Sequence, residues 1–357
     1  MFMRGFVVAV LILPAVASSA WSQQMTLQLT LHGREIEGTP ISWDERRVFM
    51  LGRDGHLWDF APNEAEQFRK SANGFQPLSH GELRGLLMRE FGRGYEVSGA
   101  GQYVVVHPVG QRDVWAPRFD ELYRSFMRYF AVRGIPVEKS QFPLIAIVFP
   151  SQGAFLQYAR QQGDNVGPGV LGYYSTQTNR ILLYDLTNGS DDADWSENAS
   201  TIIHEAAHQS AFNTNVHSRQ SLPPRWLAEG LGTLFEAPGV WNSRLHPQLS
   251  DRINQGRLES FRRHLAKRPQ GALASFIASD RPFAQNPDAA YAEAWALTMY
   301  LVENEPLKYQ DYLRLTSSRA AFSTYSSPER VRDFVKVFGT DLNMVEARML
   351  RFISTLR

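Results

Sequence analysis

Two histidines four positions apart enclose a glutamate in the string Thr201-Ile-Ile-His-Glu-Ala-Ala-His-Gln209. A helix turns about 100° per residue, so His204 and His208 share a face and project both imidazoles toward one point. That is the geometry a zinc ion takes from a single helix. Glu205, beside the first imidazole, stands where a carboxylate can hold and deprotonate a metal-activated water. Further along, Pro223-Pro-Arg-Trp-Leu-Ala-Glu-Gly230 carries Glu229 inside a second helical pattern, and Glu229 is the candidate third ligand. Two neutral imidazoles and one carboxylate leave one zinc ion a net positive charge and an open position, as a hydrolytic centre requires.

Such a string also arises in an ordinary amphipathic helix whose histidines face solvent. The flanks weigh against that reading. Ile202, Ile203, Ala206 and Ala207 make the helix mostly apolar, and burying Glu205 and two polar rings without partners costs several kcal/mol. The alanines also leave room for a metal and a substrate. Nearby polar residues read differently. Glu236 lies two helical turns after Glu229 on the same face. It is read as an exposed last-turn glutamate, with orientation of a ligand histidine as the alternative. Tyr173 and Tyr174 are expected to pack their hairpin, and His217 to be solvated in the connecting loop.

His204-Glu205-x-x-His208-Gln209 together with Trp226-Leu-x-Glu229-Gly230 resembles the gluzincin zinc peptidases, whose third ligand is a glutamate on a following helix. Over a longer stretch the chain is similar to a bacterial family of gluzincin-like zinc peptidases (peptidase MA-like; domain of unknown function 1570). The matching parts are Tyr173-Tyr174, Asn179-Arg-Ile-Leu-Leu183, the zinc helix, Trp226–Glu236 and Tyr291-Ala-Glu-Ala-Trp-Ala-Leu297, within residues 95–305. The resemblance implies an α+β fold of thermolysin-like type with a mixed sheet, zinc-binding helices and a helical C-terminal part. It also implies a zinc metallopeptidase with Glu205 as general base. Tyr291, near a helix start where the related peptidases place a tyrosine, becomes the candidate donor to the oxyanion of the tetrahedral intermediate; a ring packed into the helical part is the plain alternative. No Gly-x-Met-Glu-Asn stretch precedes the zinc helix. Gluzincin aminopeptidases bind the free amino terminus with that stretch, so an endopeptidase is expected.

Composition limits the other classes. The chain has 357 residues, 43% of them hydrophobic, enough for one large core or two ordinary ones. Its 37 basic and 36 acidic side chains nearly cancel without a basic block, which argues against nucleic acid or an anionic membrane as partner. With no cysteine, disulfides and a lipoprotein anchor are excluded, and any metal must take nitrogen and oxygen ligands. Arg4, the apolar run Phe6–Val16 broken by Pro14, and the small residues Ala15, Ala17, Ser18 and Ala20 read as a secretory signal peptide over residues 1–22, cleaved after Ala20 or Ser22. A soluble periplasmic or secreted protein without a membrane anchor is the expectation.

The elements that must position these residues follow from periodicity. Short alternating bursts at Thr26–Leu31, Ile41–Trp43, Arg47–Leu51 and Leu57–Phe60 predict a small β-meander in an N-terminal region, residues 23–94. Ser79 with Glu82 predicts a capped helix through Phe91. The catalytic domain is placed at residues 95–240. It begins with a hairpin, Tyr95–Val97 and Gln102–His107. A helix follows from Pro117 toward Gly134, with Phe119, Leu122, Tyr123, Phe126 and Tyr129-Phe130 on one face. Leu144–Phe149 reads as a buried strand and Phe155 with Tyr158 as a short helix. Val170–Tyr174 and Arg180–Leu186 form a second hairpin, whose second strand precedes the zinc helix and is expected to be the edge that pairs with an extended substrate. The acidic loop at Asp191, Asp192 and Asp194 lacks calcium-loop spacing and is read as solvated, and the sequons at Asn188 and Asn198 carry little meaning in a bacterial secretory context. Residues 241–357 form a helical subdomain, with a helix start at Ser327-Pro328 and a stop at Gly339.

The leading expectation is a secreted zinc endopeptidase acting on a peptide or protein substrate. The competing readings are an amidase of cell-wall peptides and a noncatalytic envelope-binding protein with a structural metal.

Overall fold

The computed structural model describes residues 25–111, 115–186 and 196–357, with side chains from residue 199 in the last stretch. The stretch read as a signal peptide, the acidic loop at Asp191, Asp192 and Asp194, and the sequon at Asn188 lie outside the described residues, as does the side chain of Asn198. Among the described residues no helix is long and apolar enough to cross a membrane. The architecture is mixed α+β, with two five-stranded sheets and many helices. Contacts divide the chain into two units. One holds the described residues up to Arg53 with Asp59–Gln76, and the other holds Asp54–Trp58 with Pro77–Arg357.

The first unit is built on a sheet. The strands of this sheet are β1 (Thr26–Leu31), β2 (Arg34–Trp43), β3 (Val48–Gly52), β4 (Leu57–Phe60, whose first two residues are counted with the other unit) and β5 (Ala65–Ala72), in the order β4-β3-β2-β1-β5. His32 and Gly33 both take positive φ, 50° and 77°, as a two-residue hairpin turn between right-twisted strands requires. Leu29, Leu31, Ile36, Met50 and Leu51 supply its buried residues. Two elements depart from the expected meander. β2 begins at Arg34 rather than Ile41, because its charged first half pairs with β1. β5, almost wholly exposed, returns antiparallel to β1, and its polar sequence gave no alternation to read.

The second unit starts with α1 (His80–Phe91), whose Ser79 and Glu82 exchange backbone N–H bonds in the expected capping box. Next come β6 (Tyr95–Ala100), β7 (Tyr103–Pro108), α2 (Ala116–Ala131), β8 (Leu144–Phe149), α3 (Gln152–Gln161), β9 (Gly172–Ser175) and β10 (Arg180–Tyr184). The sheet order is β6-β7-β8-β10-β9, with β7, β8 and β10 mutually parallel and the outer two strands antiparallel to their neighbours. Alternation along the central strands sorts their side chains between two layers. Tyr103, Val105, Leu144, Ala146, Val148, Ile181 and Leu183 join the core formed with α2 and the later helices. Val104, Val106, Ile145, Ile147, Phe149 and Leu182 join Leu83, Leu87 and Phe155 from α1 and α3. With both faces covered, the central strands read as continuous apolar runs.

The edge assignment needs correction. β10 lies inside the sheet between β8 and β9, so the first strand of the hairpin, β9, forms the edge. β10 carries an unbroken buried run (Arg180–Tyr184), as an internal strand must.

All later elements are helical: α4 (Ser196–Asn213), α5 (Arg225–Phe235), α6 (Pro238–Trp241), α7 (Gln255–Leu265), α8 (Ala272–Ala278), α9 (Pro282–Gln285), α10 (Pro287–Asn304), α11 (Pro306–Ser317), α12 (Ser327–Phe338) and α13 (Leu342–Thr355). α12 starts and stops where Ser327-Pro328 and Gly339 predicted. Two features fix the pair that matters most. Gln209 of α4 donates its amide N–H groups to the Ile145 and Asn179 carbonyls, at 3.0 and 2.8 Å, tying that helix to the sheet. α10 is apolar on nearly every side and is buried as such a helix must be. α5 crosses it closely at Gly230, where a Cβ would meet the Thr298 side chain and stand 2.6 Å from the Ala294 carbonyl oxygen.

Candidate metal centre

α4 presents His204 and His208 one turn apart, and α5 presents Glu229 to the same point. His204 Nε2 lies 3.3 Å from Glu229 Oε2, His208 Nε2 lies 3.3 Å from the same oxygen, and the two Nε2 atoms are 2.9 Å apart. Three donors about 2.0–2.2 Å from one tetrahedral ion stand about 3.3–3.5 Å from each other. Two edges of this triangle have that length. The third is shorter, and two imidazole nitrogens so close repel unless a proton or a cation lies between them. The donor set, two imidazoles and a carboxylate with no thiolate, is one that suits zinc in a hydrolytic site. Their side chains keep 11%, 12% and 14% of their surface exposed, so the cluster is walled on most sides and reachable on one.

A carboxylate orients the first histidine. His204 Nδ1 donates to Glu236 Oε1 at 2.8 Å, so once the ring gives up its other proton the lone pair lies on Nε2, the atom that faces Glu229 and His208. Glu236 is itself held by the Asn254 amide at 2.7 Å and lies 3.7 Å from the Arg257 guanidinium. Its side chain is mostly covered, which corrects the reading of an exposed last-turn glutamate. The face shared with Glu229 was visible in the spacing. The contribution of Asn254 from a later loop was not. Gly232 completes the pocket of His204, because a Cβ there would stand 2.7 Å from the ring.

Burial opposes every charge in the cluster, and its members answer differently. For Glu229, hydrogen bonds from both histidines outweigh burial and hold the carboxyl well below its usual range. For His204, Glu229 and Glu236 outweigh burial and hold the imidazole well above its usual range. Glu205 goes the other way. Burial pushes its carboxyl up, against the pull of His204 and His208. Its Oε2 accepts the Tyr174 backbone N–H from β9 at 2.7 Å, which points the carboxylate along the sheet edge.

Tyr291 is the fifth residue of α10, near the helix start as expected, and Asn286 caps that helix. Its ring centre lies 6.4 Å from that of His204, and its hydroxyl accepts from Arg225 Nη2 at 3.4 Å. Burial, then the Glu229 charge, pushes the phenol up to about 12, so it remains a donor at neutral pH. The fold thus brings Tyr291 beside the three metal-ligand candidates and Glu205. Tyr173 and Tyr174 tie the hairpin down, donating to Asp164 at 2.5 Å and to Asn179 at 2.8 Å. His217 is 1% exposed, with its ring against Phe212, which corrects the expectation of a solvated loop residue. The loop before α5 folds inward because His217 N–H bonds back to the Ala211 carbonyl at the end of α4.

Residues 198–323 match a family described as a protein of unknown function (DUF1570), a span that includes all five candidate residues. No curated protein matches the chain. Among solved structures the chain is similar to a mutant of the M1 zinc metallopeptidase from Deinococcus radiodurans, with 10% identity and a TM-score of 0.39. That alignment covers 73% of this chain and 51% of the other, so the chain spans about half the length of the structure it matches.

Proposed function

We propose that this chain is a gluzincin-type zinc peptidase, exported to the periplasm or beyond, that cleaves within a peptide or protein substrate. One observation carries the reading: His204, His208 and Glu229 each bring one donor atom within 3.3 Å of the other two, while Glu205, not needed as a ligand, lies half-buried beside them. A structural metal site has no use for such a base, which weighs against the noncatalytic binding protein.

A zinc ion held by the three side chains would supply a Lewis acid that activates water and polarises the scissile carbonyl. Glu205 takes the proton of the attacking water and passes it to the leaving amine. Its bond to the Tyr174 N–H keeps the carboxylate aligned with β9, the edge along which an extended substrate backbone would lie. Tyr291 donates its hydroxyl to the oxyanion of the tetrahedral intermediate, and its raised pKa keeps that proton available.

The test combines metal analysis of the purified protein with hydrolysis of an unstructured protein, using Glu205→Gln as control. One equivalent of zinc with hydrolysis that Glu205→Gln abolishes is the expected result. Zinc without activity on proteins or cell-wall peptides would favour the binding protein, and activity on cell-wall peptides alone would favour the amidase.

A further inference from the structure

Arg225 opens α5 one turn before Glu229. Its Nε donates to Glu229 Oε1 at 3.1 Å, and its Nη2 donates to the Tyr291 hydroxyl at 3.4 Å. The third-ligand candidate and the oxyanion-donor candidate therefore hang on one planar fork. We infer that Arg225 is a positioning residue of the metal centre, one that turns Glu229 Oε2 toward the two imidazoles and fixes the Tyr291 hydroxyl at the open side. This rests on reading the cluster as a hydrolytic zinc site.

The argument begins with the carboxylate. A glutamate has two equivalent oxygens and several rotatable bonds, and a ligand must offer one oxygen in one direction. Arg225 occupies Oε1, and the oxygen left over is the one 3.3 Å from both Nε2 atoms. An ordinary pair of this spacing on an exposed helix stabilises by only a few tenths of a kcal/mol and fixes nothing. This pair differs because the guanidinium is itself held. Its Cζ sits 4.7 Å from the centre of the Phe283 ring, a stacking that sets its plane. Its backbone N–H is bonded to Asp280 Oδ1 at 3.0 Å. Asp280 is clasped in turn by two bonds from Arg330 of α12, at 2.7 and 2.9 Å. A lysine would carry the same charge but could not present two N–H groups in this fixed geometry.

Zinc affinity, read by competition with a chromophoric chelator, tests the inference without using catalysis. Arg225→Gln should bind zinc about 10–100-fold more weakly, the usual loss when a group orienting a ligand is removed. Its metal-free melting temperature should stay close to that of the wild type. Arg225→Lys should also bind more weakly, although it keeps the charge, and it serves in place of Arg225→Gln should that variant not fold. In turnover, kcat should fall more than KM changes, and the loss should shrink in a Tyr291→Phe background, where one of the two tethers is already gone. Zinc affinity of both variants within twofold of the wild type overturns the role of Arg225 and leaves the zinc site standing. A wild type that binds no zinc overturns the zinc site and this inference with it. A wild type that binds zinc without hydrolysing peptides overturns the peptidase reading only, and the chelator competition still decides the role of Arg225.

Discussion

Glu205 and His208 lie a turn apart on the same helix, yet they should fail differently when changed. Glu205 is held by a backbone N–H and lies outside the three-atom cluster. Glu205→Gln keeps the shape, removes the half-buried proton acceptor, and leaves the metal-binding atoms untouched. It should retain zinc and fold while turnover falls by several orders of magnitude, since proton transfer alone accounts for about 10²–10⁴. His208→Ala should lose zinc and activity together. Zinc content and turnover measured side by side check both, and wild-type turnover in Glu205→Gln would remove the general base from the mechanism. Tyr291 belongs at this scale too. Tyr291→Phe deletes one hydroxyl from a ring otherwise packed between Phe283, His204 and Arg257. kcat should drop about 10²–10³ with zinc content unchanged. A drop within threefold would leave the tyrosine as packing.

At the scale of elements, the centre depends on how α5 lies between α4 and α10. Two glycines on α5 let it do so, and they should separate stability from metal binding. Gly230→Ala pushes against Thr298 and the Ala294 carbonyl, so it wedges α5 away from α10 and should cost about 1–3 kcal/mol, read as a lower urea midpoint. Gly232→Ala pushes instead on the His204 ring and should weaken zinc binding at least about tenfold with a smaller change in midpoint. Unchanged zinc affinity in Gly232→Ala would show that the ring has room to shift. These glycines also mark the limit of what was legible. The string from His204 to His208, Glu229 and the start of α10 could be read because ligand spacing, caps and helical period are local. That β9 rather than β10 forms the edge is set by which strand β8 pairs with, and no local pattern records it. The reason for Gly232 appears only once His204 arrives from another helix. Glu236 shows the same limit, since its face was legible and its burial beneath Asn254 and Arg257 was not.

The molecule as a whole should sense pH through His217, a residue whose place in the connecting loop marked it as solvated. The fold places it at 1% exposure, and neither ring nitrogen meets a polar partner among the described residues. Burial, and then the neighbouring His208 charge, push its imidazole down to about 3. In the unfolded chain the same ring titrates near its ordinary value, about 6.5. Between those values the unfolded state binds a proton that the folded state refuses, so acid favours unfolding. The sign follows: stability from this group is complete above about pH 6.5 and is lost progressively as pH falls toward 3. One proton taken up on unfolding gives a slope of about 1.4 kcal/mol per pH unit through that window. His217→Leu removes the titrating ring and keeps an apolar side chain of similar size in the buried pocket. Urea unfolding measured between about pH 6 and pH 4 should therefore show a free energy that falls less steeply in the variant, by about that slope. The two curves should run parallel above about pH 7, where both states leave the ring neutral. Equal slopes at low pH would mean that His217 reaches solvent and takes up its proton without unfolding.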